Sequence, residues 1–419
     1  MKKRSIFIVG LVIIFSLIIA SVAFAEEITV VTSYGGDDGN RGNYEAAVKM
    51  YEEQTGNKVN DESGTSNEEW KAKIMTDFET GAEPDVLFFF NGVDSNPFVK
   101  AGKVVSIDEI REVYPDYASN MKDSMLGASP VDGKNYSVPV NGYWEGLFVN
   151  KKVLDEAGVA VPGADYTWEQ FLNDCEKIKT AGFTCVAVSL QEVPHYWFEY
   201  TVFNHGSVAN HLDIPKTADD AVAQKWAAGL EDIKVLYEKG YLPANTLTAT
   251  DAETFQLMAD HKAAFAIDGS WKIGWFQSNA DDINNFTVTY VPAQGDRAAT
   301  DIIGGLSMGY YITRKAWNDP EKQKACVDFV GMMTSDDVVS TFGATAVTAL
   351  KKGTTPPQDA DALVTAALAM TKGATGISPA VQDLLTGEAR ADLFANVKNV
   401  VTGKITATDA IASMISFNQ

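Results

Sequence analysis

The sequence predicts an α/β protein built in two lobes, and three observations carry that expectation. Strand and helix patterns alternate through residues 28–90, and the alternation resumes beyond a long extended stretch at 140–150. The 394 residues after position 25 exceed what one compact core usually holds.

Each element has a local reason. Residues 28–32 read as a strand, and the helix after it carries Tyr44, Ala47, Val48 and Tyr51 on one face. A weaker strand at 58–60 precedes a helix at 68–79 bearing Trp70, Ile74, Met75 and Phe78. The apolar run at 85–90 is typical of a parallel strand buried on both faces. Asp132-Gly133 between strand-forming residues reads as a hairpin, and 140–150 is extended, with aromatic residues at 143, 144 and 148. Thr167 and Gln170 form a capping box for a helix that ends at Ala181-Gly182, with a strand at 184–188 after it. An amphipathic helix covers 219–239, with Ala223, Trp226, Leu230, Ile233 and Tyr237 on one side. Residues 304–313 read as one glycine-bounded strand, and Asp319-Pro320-Glu321 opens a helix. Beyond the polar connection at 351–357, only helices are expected, to about residue 417.

The N-terminus has the pattern of a secretory leader. Lys2, Lys3 and Arg4 precede an apolar run at 6–20, and Ala23-Phe24-Ala25 offers a small-x-small cleavage site. A signal peptide at 1–25 is therefore expected, with an uncleaved anchor at 5–24 as the alternative. No cysteine there accepts a lipid, which points to a periplasmic or secreted protein. Removing the leader makes the net charge of −22 three units more negative. Such acidity argues against nucleic acid and anionic lipid as partners. Cys175 and Cys185 either form one disulfide in an oxidising compartment, or Cys175 is a buried thiol on the helix face it shares with Phe171, Leu172 and Ile178.

The stretch 261–271 is the most informative. An apolar strand stops at Gly269-Ser270, and Trp271 follows. An indole there lies where α/β sheets bind ligands, beyond the strand ends, and its flat face suits a sugar ring. The alternative is a tryptophan that plugs the core.

Six stretches, in order, resemble the extracellular solute-binding protein family 1, the sugar-binding components of ABC importers. They are Gly81-Ala82-Glu83-Pro84-Asp85-Val86, Ser137-Val138-Pro139 leading to Phe148-Val149-Asn150-Lys151, Thr167-Trp168-Glu169-Gln170-Phe171, Ser189-Leu190-Gln191-Glu192, Ala263-Ala264-Phe265 through Gly269-Ser270-Trp271, and Gly304-Gly305-Leu306-Ser307. The resemblance implies the two-lobed periplasmic-binding-protein fold of type II, with a ligand cleft between the lobes and a helical C-terminal tail. By analogy one lobe takes 26–140 and 308–345 and the other 143–304 and 352–419, with crossings near Gly142, Gly305 and Lys352. It also implies a sugar ligand, membrane permease subunits as partners, a monomer, and neither a cofactor nor catalysis.

Sugar recognition needs aromatic plates and polar groups that replace water at the hydroxyls. Trp271 matches the family's stacking tryptophan. Glu192, His195 and Trp197 fall in the segment that supplies a carboxylate and a ring, unless Trp197 is helix core and Glu192 a helix cap. Asn91 and Tyr34 end strands of the first lobe, as ligand contacts or as ordinary turn chemistry. Trp144 lies on the first crossing, and its neighbour Tyr143 should point the opposite way, so only one of the two meets ligand. Asp268 binds a hydroxyl or caps the helix carrying Trp271, and Gly304 lies beside the return crossing. Asn91 and Gly92, where the maltose-binding relative is acidic, and Phe394, Ala395 and Lys398 in the C-terminal helix depart from the maltodextrin pattern. Two alternatives remain at this level. One is an exported carbohydrate-active enzyme, which needs a carboxylate pair. The other is a ferric-ion or other small-solute binder using Tyr310-Tyr311, whose side chains should diverge on a strand.

Overall fold

The computed structural model describes residues 25–418 except 37, 130, 344–346 and 356–357. The expected leader, apart from Ala25, lies outside the described residues. Two separate sheets form two lobes. In the first, Met308–Ile312, Val86–Phe90, Glu27–Val31 and Lys58–Asp61 lie side by side in that order. The last three run parallel, and Met308–Ile312 joins antiparallel, Tyr310 opposite Phe88. Its two faces are filled by separate clusters, Tyr44, Tyr51, Phe88 and Phe329 on one side and Trp70, Phe78, Phe89 and Phe98 on the other.

The second sheet runs Gly376–Ser378, Asp301–Gly305, Tyr143–Asn150, Ala263–Gly269 and Thr184–Val186, with Phe286–Thr289 also paired to Tyr143–Asn150. Tyr143–Asn150 and Ala263–Gly269 form its centre, and both are almost wholly buried. The capping box predicted at Thr167 and Gln170 is present, and the helix runs Trp168–Thr180. Cys175, on the buried face of that helix, is bonded to Cys185 in the next strand.

Two expectations are corrected. Residues 304–313 are not one strand: Asp301–Gly305 ends the second sheet's contribution and Met308–Ile312 begins the first's, because the chain changes lobe at Leu306 and Ser307. The tail is not helical throughout, since Gly376–Ser378 pairs parallel with Asp301, Ile302 and Ile303. That edge strand is three residues long, too short to show a period of two.

Three connecting segments meet at Gly142. A Cβ there would stand 2.5 Å from the carbonyl oxygens of both Gly305 and Val347, and the Gly142 amide donates to the latter oxygen. Only glycine permits that approach.

Candidate functional site

The strand Ala263–Gly269 delivers Trp271 to the edge of the interlobe cleft, and the helix Lys272–Asn279 starts directly after it. Gly269 lets the indole fold back over the strand end, because a Cβ there would overlap its six-membered ring at Cη2, Cζ3 and Cζ2. The indole stays partly exposed. Its centroid lies 6.4 Å from the ring of Tyr143 and 5.8 Å from that of Tyr196. His195 continues the row 4.2 Å from Tyr196, and Phe394 lies 5.3 Å beyond His195. The second lobe therefore presents a continuous aromatic wall.

Across the cleft, the loop at Gly39 lies against the backbone of this wall. A Cβ on Gly39 would overlap the Trp271 carbonyl, and one on Gly274 would overlap the Gly39 carbonyl. Backbone meets backbone there, so the two lobes touch at this end of the wall. Asn91 ends the strand Val86–Phe90, and its side-chain oxygen accepts hydrogen bonds from the hydroxyls of Ser137, at 2.6 Å, and Tyr311, at 2.7 Å. With the oxygen so occupied, the amide NH₂ is the group Asn91 can offer to a ligand.

Other candidates are placed elsewhere. Trp144 is 1% exposed and packs on Phe148 in the second lobe's core. Strand alternation thus gives the cleft to Tyr143, whose hydroxyl accepts from the Ala380 amide at 2.9 Å. Trp197 is 2% exposed and stacked on Phe171, so Tyr196 supplies the ring of that segment. Glu192 is exposed, and its Oε2 accepts from the Asp251 amide at 2.8 Å, at the start of the helix Asp251–Ala259. Tyr34 stacks on Phe88 in the first lobe's core with its hydroxyl toward Asn141. Gly304 pairs with Trp144, and a Cβ on it would meet the Tyr143 carbonyl at 2.7 Å, so its lack of a side chain serves the sheet. Asp268 does not cap the helix carrying Trp271. Its Oδ1 accepts from the Gly269 amide, and Lys272 lies 3.6 Å from Oδ2.

Electrostatics under the wall are muted. Burial pushes the Asp268 carboxyl up to about 7 against the pull of Lys272. Glu145 and Glu199, both buried, face each other: burial and the neighbouring carboxylate hold Glu145 well above its ordinary range, and burial takes Glu199 to about 8. Burial, with Lys71 and Arg390 nearby, draws His195 down to about 3, leaving the ring neutral at physiological pH. A wall of rings over the protonated carboxyls of Glu145 and Glu199 and a neutral imidazole suits an uncharged ligand with apolar faces. Tyr310 and Tyr311 diverge, the first toward Phe88 and Phe329 and the second toward Asn91. They share no site.

Arg390, which the sequence reading did not single out, bridges the lobes. It is 1% exposed and reaches Glu68 at 3.0 Å and Asp94 at 2.9 Å. Its place on a long helix gives no sequence signal, because its partners lie about three hundred positions away in the chain. Tyr196 lies inside the segment that the resemblance marks, between His195 and Trp197, but the helix His195–Asn204 is buried on nearly every side, so its sequence has no polar stripe to tell which ring faces the cleft. Glu145, on the same strand face as Tyr143, was the available hint for that ring.

A melibiose/raffinose/stachyose-binding protein of Bacillus subtilis is 26% identical over 218 residues, 48% of this chain and 47% of that protein. The chain thus spans about half the length of that relative. A diacetylchitobiose-binding protein of Streptomyces coelicolor is 22% identical over 351 residues, 76% of this chain and 78% of its own. Among solved structures, a chitin oligosaccharide binding protein superposes with a TM-score of 0.80 at 20% identity, covering 94% of this chain and 98% of that one. The binding protein RafE in complex with raffinose gives 0.73 at 17% identity over 93% and 98% of the two chains. These structures share the two-lobed fold. Residues 38–339 match the sequence profile of the bacterial extracellular solute-binding proteins, and the chain belongs to that family.

Proposed function

We propose that this protein captures a carbohydrate outside the cytoplasmic membrane and presents it, by closure of its lobes, to the permease of an ABC importer. The observation that carries the reading is the wall of Trp271, Tyr143 and Tyr196, set over Glu145 and Glu199, whose carboxyls burial keeps protonated. Indole and phenol faces stack on the C–H faces of sugar rings, and buried carboxyls that keep their protons place no charge beneath them. Asn91, His195 and Phe394 complete the site. The sugars named for the relatives support a carbohydrate as the ligand class.

The lobes comprise 26–140 with 308–345, and 143–304 with 352–419, and they turn about the junction at Gly142. Ligand raises the closed population by the difference in its affinity for the two states. A cleaved leader at 1–25 exports the chain, and the bonded Cys175 and Cys185 agree with an oxidising compartment. No helix of the described residues is long and apolar enough to cross a membrane. The protein acts as a monomer and catalyses nothing.

Thermal unfolding against a carbohydrate panel tests this. A bound sugar adds RT ln(1 + [L]/Kd) to stability, about 2.7 kcal/mol at a hundred times Kd. A panel of mono- and oligosaccharides with no concentration-dependent stabilisation, or turnover of any of them, would overturn the reading.

A further inference from the structure

The aromatic wall is closed at both ends by contacts between the lobes. At the Trp271 end, Gly39 lies on the backbone of Trp271 and Gly274. At the other end is Phe394, and one helical turn before it Arg390 reaches across the cleft. The Arg390 guanidinium donates from Nε to Glu68 at 3.0 Å, from Nη2 to Glu68 at 3.2 Å and Asp94 at 2.9 Å, and from Nη1 to the Gln382 carbonyl at 3.5 Å. Lys71 adds a second bridge on the first-lobe side, 3.3 Å from Glu68 and 3.2 Å from Asp94, with its ammonium over the ring of Phe90. Arg390 thus has donors engaged on all three of its nitrogens and little left for a ligand hydroxyl. Arg390 is only 1% exposed and Asp94 11%, while Glu68, at 43%, forms the outer side of the contact.

We propose that Arg390, with Glu68 and Asp94, sets the length of the ligand: the contact seals the cleft beyond Phe394 and rejects chains that run past that ring. The inference rests on the sugar reading above and concerns the same site. A longer chain would have to break the buried Arg390 contacts in order to close the lobes over it. That leaves Arg390 desolvated without its partners, a cost that falls on long ligands alone.

The test is a length series. Galactose, melibiose, raffinose and stachyose, and N-acetylglucosamine oligomers of one to four rings, are titrated by calorimetry into the wild type, Arg390→Ala and the first-lobe double variant Glu68→Gln/Asp94→Asn. The double variant guards against misfolding at the buried arginine. Affinity of the wild type should fall about tenfold or more at one step of the series it binds, the step at which the chain outgrows the cleft. In both variants the ratio between lengths should shrink to about threefold or less, whatever happens to absolute affinity. Wild-type binding of four rings as tightly as two, or variants that weaken all lengths by one factor, would overturn the length-setting role and leave the sugar reading intact. Failure of every member of both series to bind the wild type would remove both.

Discussion

Replacing Trp271 by alanine should weaken sugar binding without unfolding the protein, and Gly269 makes the effect diagnosable. One face of an indole offers about 100 Å² of apolar surface, half of what a buried tryptophan covers. At about 25 cal/mol per Å², its loss costs roughly 2.5 kcal/mol, about seventy-fold in Kd. Gly269→Ala keeps the indole but drives a methyl group into its six-membered ring, so the plate must rotate off the strand end. Its Kd should rise by a comparable factor. Once the indole is gone the methyl has nothing to strike, so Gly269→Ala placed in the Trp271→Ala background should change Kd by less than about twofold. Calorimetric titration of the four proteins with the tightest sugar of the panel, beside their thermal midpoints, completes the cycle. Equal losses from Gly269→Ala in both backgrounds would mean that the glycine acts through the sheet. An unchanged Kd in Trp271→Ala would refute the platform altogether.

Further outcomes follow from other parts of the molecule. Gly274→Ala puts a methyl group against the Gly39 carbonyl and should hold the lobes apart, so that the radius of gyration at saturating sugar stays above that of the wild type in small-angle scattering. Between its ordinary 4.5 and its folded value of about 8, Glu199 keeps in the folded state a proton that the unfolded chain has released. Its contribution to stability therefore falls as pH rises through that window, and Glu199→Gln should lose less of its thermal midpoint than the wild type between pH 5 and pH 8. Cys175→Ser with Cys185→Ser opens a loop of separation 10, worth about 2 to 3 kcal/mol by chain entropy. Spread over a lobe of that size, the loss should lower the unfolding temperature by about 5–10 °C in calorimetry.

Much of the fold was legible because periodicity and turn chemistry are local. The capping box at Thr167, the cap and proline at Asp319 and Pro320, and the buried strand after Asp85 all stand as read. Local signals also placed Trp271 just beyond the end of a buried strand, since a strand that ends in Gly-Ser next to an indole is written in eleven residues. The same signals failed wherever the deciding contact was distant. Trp144 and Tyr143 are adjacent aromatics on a strand buried on both faces, so hydropathy does not choose between them; the packing of Phe148 does. Glu192 reads locally as a ligand contact or as a cap of the helix after it, yet the amide it serves belongs to Asp251, at the start of a different helix that reaches it only through the fold. Arg390 is the extreme case, because its two partners come from the other lobe.

The antiparallel strand Met308–Ile312 has a consequence for how the chain is made. It pairs with Val86–Phe90, yet it is synthesised about two hundred residues later, so the first sheet stays open at that edge until nearly three quarters of the polypeptide exists. A fragment ending at residue 140 would expose the row of unpaired amides and carbonyls on Val86–Phe90, and should aggregate instead of folding as an independent module. The two lobes are thus inseparable during assembly, and a chain that must wait to fold is one that can still be threaded through a membrane.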